Sequence, residues 1–306
     1  MLEDFLVVTG QVGTLFLLMG VGFLLTKLGK ISAHTRGQMS FLLLYVIAPC
    51  LVVETLQVEL TPSLLILLGE ALLAFLASYL IFIPIAHFMF PSRDADTRPV
   101  LQFGIIFANT GFMGFPLVEA VAGPDALIFA AVSTIVFNLL QWSYGITLMG
   151  GKASARSLLV NPGTISIAIG LVLLFSGLRL PGAVNSAVSF LADMNTPLAM
   201  LVIGSQMAHA NIRETFRKHR LFEASLLRLA LLPALMAVVL LPFHLDPLLY
   251  IAVVILSAAP SAGVTSIFAE QFGRNTAAAA QLVALSTLLS ILTLPLFAVA
   301  ARFLAG

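Results

Sequence analysis

The sequence predicts an all-α polytopic membrane protein. Its ten transmembrane helices form two five-helix repeats of opposite orientation. Three observations carry that expectation. Of the 306 residues, 60% are hydrophobic and only 9% charged, against about 25% charged in a soluble domain; such a chain has too little polar surface to coat a water-soluble globule. Apolar runs of roughly 17–25 residues recur along the whole length, as a helix needs to cross about 30 Å of hydrocarbon. The second half also echoes the first. A β-barrel would show ~10-residue alternating segments, and none occur.

In order, the spans cover approximately 6–27, 38–57, 63–88, 99–121, 125–149, 162–178, 184–208, 221–242, 247–270 and 277–303. Short connections divide them. "GKISAHTRGQ", "PSRDADTR", "GGKASARS" and "NIRETFRKHR" alternate with "QVELTP", "AGPDA", "GLRLPG" and "HLDP". Thirteen Lys and Arg residues fall on or near the first set's side, and only Arg179 and Arg302 on the other. By the positive-inside rule the basic side is cytoplasmic, so both termini face outward across a cell (inner) membrane. The first repeat covers 1–149 and the second 162–306, joined by a cytoplasmic linker at 150–161.

A net charge of +1, with no basic tail, leaves no footprint for nucleic acid. The partners expected are the lipid bilayer and a small molecule, with a homodimer left open. Cys50 is the single cysteine, which excludes an intrachain disulfide and a Cys-based metal cluster. "MLEDF" is acidic where a cleavable signal needs a basic segment, so no signal peptide is expected.

The repeat rests on matches that keep their order. "SFLLLYVIAPC" (40–50) resembles "SFLADMNTPLA" (189–199). An offset of 150 aligns 108–111 with 258–261 and Gly123 with Gly273. Ser-Thr at 133–134 then meets Ser-Thr at 286–287 only after a three-residue shift. With five spans per repeat, the second copy enters the membrane from the opposite face, an arrangement common among secondary transporters.

Spans 4 and 9 carry residues that membrane helices usually avoid. Asn109 lies ten residues after Pro99, ~15 Å in at 1.5 Å per residue; Pro260 lies thirteen residues after Pro247. Both are near mid-membrane. Proline removes a backbone donor, and Gly111, Gly114 and Gly263 allow close approach. Freed N–H and C=O groups must face protein or a wet cavity. Half-helix N-termini at one level would aim partial positive charge at a common point, which suits an anion. Asn109 adds a neutral donor. The alternative is that Asn109 is interhelical glue and that Pro and Gly are ordinary in membrane helices; the matching depth of two interruptions favours a functional break.

"NTGFMGFPL" (109–117), "NTPLAMLVIGSQMA" (195–208) and "SAAPSAGVTSIFAEQFG" (257–273) resemble the auxin efflux carrier family, and the resemblance covers essentially the whole chain. It implies spans 4 and 9 that unwind and cross, as in the bile acid–sodium symporter fold. It also implies a scaffold and a transport subdomain, each drawn from both repeats, that move in an elevator-like manner. The short linker is similar to that of the compact bacterial branch, whose members are associated with malate, malonate and like carboxylates. Plant members carry an auxin-like acid. The substrate site implied is Asn109, Thr110, Gly111, Pro116, Pro260, Ser261, Ala262 and Gly263. Pro116 and Pro260 shape the unwound segments, and Ser261 stands where a matching amide is missing.

Other polar residues suggest coupling or cavity roles. Asp193 is either a proton carrier or a vestibule residue. Asn195 and Thr196 precede Pro197, which frees carbonyls for a cation such as sodium. Gln206 is cavity-lining or helix glue; Asn138 and Gln141 are cavity-lining candidates; Trp142 lines the cavity or anchors at an interface. Arg228 is expected to snorkel. No cofactor is expected beyond a coupling proton or sodium ion, and no metal site. No HExxH and no Ser–His or paired-Asp arrangement points to an enzyme. A ligand-sensing receptor on a transporter fold and a drug/metabolite-type exporter are the alternatives.

Overall fold

In lipid a helix alone satisfies its own backbone within one segment, and these apolar runs fold accordingly. The computed structural model describes residues 2–91, 94–154, 159–209 and 218–305. Helices α1 (Leu2–Lys27), α2 (Ala33–Leu42), α3 (Ala48–Thr55) and α4 (Pro62–Met89) lead into α5 (Thr97–Ile106). After a break come α6 (Phe115–Ala122), α7 (Leu127–Leu140) and α8 (Ile146–Leu148). The second half runs α9 (Pro162–Ser176), α10 (Gly182–Asp193), α11 (Asn195–His209), α12 (His219–Leu226), α13 (Leu232–Leu240), α14 (Pro247–Ala258), α15 (Val264–Gln271) and α16 (Thr276–Leu304). Among the described residues there is no strand, only one isolated antiparallel bridge between Ala108 and Ser261.

Among the described residues, six segments are long and apolar enough to cross a membrane: Ala33–Thr55, Pro62–Met89, Pro124–Leu148, Gly182–Ala208, His219–Phe243 and Thr276–Leu304. Four shorter apolar helices accompany them: Gly13–Lys27, Thr110–Ala122, Pro162–Ser176 and Pro247–Ala258. The chain is a multi-pass membrane protein. Part of the 150–161 linker, and Arg93, Arg156, Arg213 and Arg217 of the charge argument, lie outside the described residues.

Three prolines follow widened turns. π-Helical turns at Leu43–Ile47, Thr110–Gly114 and Leu227–Leu231 each end two residues before a proline, at Pro49, Pro116 and Pro233. A proline ring clashes with the carbonyl four residues back and offers it no donor. A π-turn re-spaces the ladder there, so the helix continues. This corrects the role expected of Pro116. It lies inside the helical stretch 110–122, and the unwound residues are 107–109, well before it.

Helix pairing is uneven. α1 lies along α11, where Gly22 and Gly204 replace side chains with backbone. A Cβ on Gly22 would meet Leu201 O at 2.2 Å, and one on Gly204 would meet Met19 O at 1.9 Å. The Thr26 hydroxyl donates to Ser205 Oγ at 2.8 Å in the same seam. α3 packs on α9 and α10, while α4 packs on α7, and α12, α14 and α15 pack on α16.

The segments around Ala95, Met149 and Arg274 meet. Arg274 donates through Nε to Met149 O (2.8 Å) and through Nη1 to Ala95 O (3.1 Å). Asn275 Nδ2 donates to Thr97 Oγ1 at 3.0 Å. There the Thr97 hydroxyl, with the Thr97 and Asp96 amides, holds the Asp94 carboxyl below the usual carboxylate range.

Candidate functional site

α5 ends at Ile106 and α14 at Ala258, and the two chains then run past each other as a two-bond ladder. Asn109 N donates to Pro260 O at 2.7 Å, and Ala262 N to Phe107 O at 2.9 Å. The two bonds are symmetric about the Ala108–Ser261 bridge, so Ser261, 153 positions after Ala108, is its counterpart. The offset of 150 expected at this point is therefore corrected to 153. Ser286 also lies 153 positions after Ser133, so the three-residue shift moves to Gly123 and Gly273, which stay 150 apart. The counterpart of Asn109 is Ala262.

Beyond the crossover each chain starts a second half-helix. Asn109, 7% exposed, caps the first: its Oδ1 accepts from Phe112 N at 3.2 Å. That leaves Nδ2 with no hydrogen bond among the described residues. Gly263 opens α15 with no side-chain cap. Each N-terminus carries roughly half a positive charge. Gly111 and Gly263 leave room beside them: nothing lies within 4 Å of a Cβ at Gly111, and only Gln206 Oε1, at 4.0 Å, near one at Gly263. α11 runs past the Thr110–Gly114 turn.

The opposite poles are also at the crossover. The breaks release carbonyls at the C-terminal ends of α5 and α14. An unbroken helix would pair Ile105 O with Asn109 N and Ser257 O with Ser261 N. Here Asn109 N is engaged by Pro260, and Ser261 N donates to Ser286 Oγ at 3.1 Å. Arg228 takes the carbonyls instead. Its Nη1 donates to Ile105 O at 2.9 Å, its Nε to Ala259 O at 3.1 Å, and its Nη2 to Ser257 O. Its side chain is 0% exposed, and the guanidinium lies 5.2 Å from the Phe82 ring centroid. The snorkelling expectation is overturned. A fork of fixed donors matches three orphaned carbonyls better than it would reach an interface. Hydrogen bonds to a charged group contribute about 1.5–3 kcal/mol each. One sequence signal could have found it: a cation eight residues into an apolar span is a functional candidate by default.

Beside Arg228 is a cavity of about 20 Å³, lined by Tyr79, Ala108, Thr110, Ser133 and Ser257 among others. That is room for a water molecule. The buried Thr110 hydroxyl finds no protein partner among the described residues, and neither do those of Ser261 and Thr265.

The crossover thus brings together Asn109, Thr110, Gly111, Pro260, Ser261, Ala262 and Gly263, with Gln206 facing Gly263. Other sequence candidates lie apart. Asp193 is exposed at the end of α10. Thr196 donates to Glu119 Oε2 at 3.4 Å. Asn195 is buried with both amide atoms unpaired among the described residues. Asn138 Nδ2 donates to Thr134 O at 2.9 Å, and its side chain packs on Gly163 of α9. Gln141 is buried on a π-turn eight residues beyond Ser133, ~12 Å along the helix. Trp142 is half-buried and packs edge-on against Phe268, ring centroids 5.6 Å apart.

A family model described as "Membrane transport protein" matches residues 7–157 and 152–298. The "Putative malonate transporter" of Rhizobium meliloti (strain 1021) is 25% identical over 305 residues, 94% of this chain and 93% of that protein. An "Uncharacterized transporter" of Methanothermobacter thermautotrophicus is 25% identical over 199 residues, 62% of this chain. That match spans 64% of the relative, just under two thirds of its length.

Proposed function

Because the chain belongs to the membrane transport protein family, the auxin efflux carrier type that its motifs resemble, we propose that it is a secondary transporter of a small organic anion. Malonate and malate are the first substrates to try, given the name of the Rhizobium meliloti relative. The observation that carries the reading is the pairing of two half-helix N-termini with the unbonded Nδ2 of Asn109 at one crossover. Two N-terminal poles amount to about one positive charge. Asn109 and Gln206 add neutral amide donors. A carboxylate is thereby held without a fixed cation in the binding face, and the empty carrier need not move a bare charge.

In this reading the ten helical spans form a five-plus-five inverted repeat, with both termini outside the cytoplasm. The symmetric ladder about Ala108 and Ser261 supports it. The scaffold takes α1–α3 and α9–α11, whose seam is closed by Gly22 and Gly204. The transport subdomain takes α4–α8 and α12–α16 and moves against the scaffold as an elevator. α11 belongs to the first group and faces the crossover, so Gln206 meets the substrate from the scaffold side. Purified protein in liposomes is expected to show saturable malonate or malate uptake with counterflow. Absence of counterflow across a broad carboxylate panel would remove the proposal.

A further inference from the structure

We infer that Arg228 is a resident cation: it fills the place at the crossover that a co-transported metal ion would otherwise need, so that anion transport draws no sodium through the crossover. This rests on the transporter reading for its consequence, but not for its geometry.

The argument is one of accounting at two poles. α5 and α14 both end at the crossover, and each C-terminus carries roughly half a negative charge. Together they make about one unit, concentrated on the carbonyls of Ile105, Ser257 and Ala259. Carbonyl oxygens converging in a buried place are what a hard cation seeks. Here all three already accept from one guanidinium, which stays protonated in proteins. Arg228 comes from the π-turn Leu227–Leu231, outside both broken helices, so it also ties them to a third element. The Phe82 ring covers its face, and no part of it is exposed. A metal ion could not enter without displacing a covalently tethered charge. The negative pole is neutralised permanently, whereas the positive pole at Asn109, Gly111 and Gly263 is left open for an anion. The same crossover therefore supplies anion affinity in the absence of any exchangeable cation there.

Two readouts test this. Thermal midpoints and malonate counterflow are measured for the whole protein in sodium and in N-methylglucamine. The wild type is expected to keep both unchanged. Counterflow that collapses without sodium overturns the proposal. Arg228→Lys retains the charge and is expected to keep counterflow within about threefold of wild type. Arg228→Gln keeps much of the volume and loses the charge. Its counterflow is expected to fall by at least about tenfold, the scale of one lost charge-assisted bond. Its midpoint is expected to become cation-sensitive, rising with methylguanidinium or sodium but not with neutral urea. Equal losses in the Lys and Gln variants, or a Gln midpoint indifferent to cations, also overturn the proposal, because they assign Arg228 to packing alone. If neither variant folds, the wild-type sodium comparison decides. A wild type that moves no carboxylate under any condition defeats the transporter reading instead, while the midpoints still judge Arg228.

Discussion

At the first break Asn109 folds its side chain onto Phe112 N and keeps a free amide nitrogen; at the second, Gly263 opens the half-helix with no side-chain cap. Ser286 receives the amide of Ser261. The counterpart position, Ser133, lines a small cavity beside Ala108 and Thr110 instead. The backbone ladder is symmetric, but the chemistry attached to it is not. The first break supplies a side-chain amide, and the second supplies backbone plus a sealed support. Shared geometry thus leaves each break free to differ, because the ladder needs only main-chain atoms.

The sharpest way to break the comparison is Asn109→Ala. It removes a helix cap, costing about 1 kcal/mol of stability. It also removes the free donor, and a bond to a charged ligand contributes about 1.5–3 kcal/mol. Carboxylate affinity, read from ligand-induced thermal shifts, is expected to weaken roughly ten- to hundredfold. Moving the amide to the other copy, in Asn109→Ala with Ala262→Asn, is not expected to restore it, since Ala262 is almost fully buried. Restoration would mean that the two breaks are interchangeable.

Next in size is the serine pair. Ser286→Ala leaves the buried Ser261 amide without an acceptor and is expected to cost about 1–3 kcal/mol. Ser133→Ala removes no such bond and is expected to stay within about 0.5 kcal/mol. Equal losses in unfolding measurements would erase the distinction between sealed and open sides. The smallest effects are expected at the glycines. Gly111→Ala meets open space and Gly263→Ala only an ordinary contact with Gln206 Oε1 at 4.0 Å, so each should alter stability by less than about 1 kcal/mol. Gly263→Ala alone points a methyl toward Gln206 and should reduce carboxylate binding more than Gly111→Ala. The same thermal-shift titration checks that order.

Much of the architecture can be read from the chain. The span expected at 277–303 forms as Thr276–Leu304, and that at 63–88 as Pro62–Met89, because apolar length and flanking caps are local signals. The breaks are local too, since Asn109, Gly111 and Pro260 sit at or beside them. Register was less accessible. The alignment at 150 followed a short residue match, whereas the ladder sets Ala108 against Ser261, a pairing that no local composition announces. Arg228 was misread for a different reason: its carbonyl partners are 29, 31 and 123 residues away in sequence. A long-range partner can turn an apparent surface cation into a core one. Gln206 became legible as a neighbour of Gly263 only once α11 was set against the crossover.

The seam between α1 and α11 has a consequence for biogenesis. Thr26 and Ser205, which bond across it, are 179 residues apart. At a synthesis rate of about 5–20 residues per second, α1 enters the bilayer roughly 10–35 s before its partner is made. Through that interval the groove at Gly22 is unfilled, and lipid or a chaperone must cover it. A substitution there goes unopposed through that interval and meets its clash, at the Leu201 backbone, only when α11 arrives.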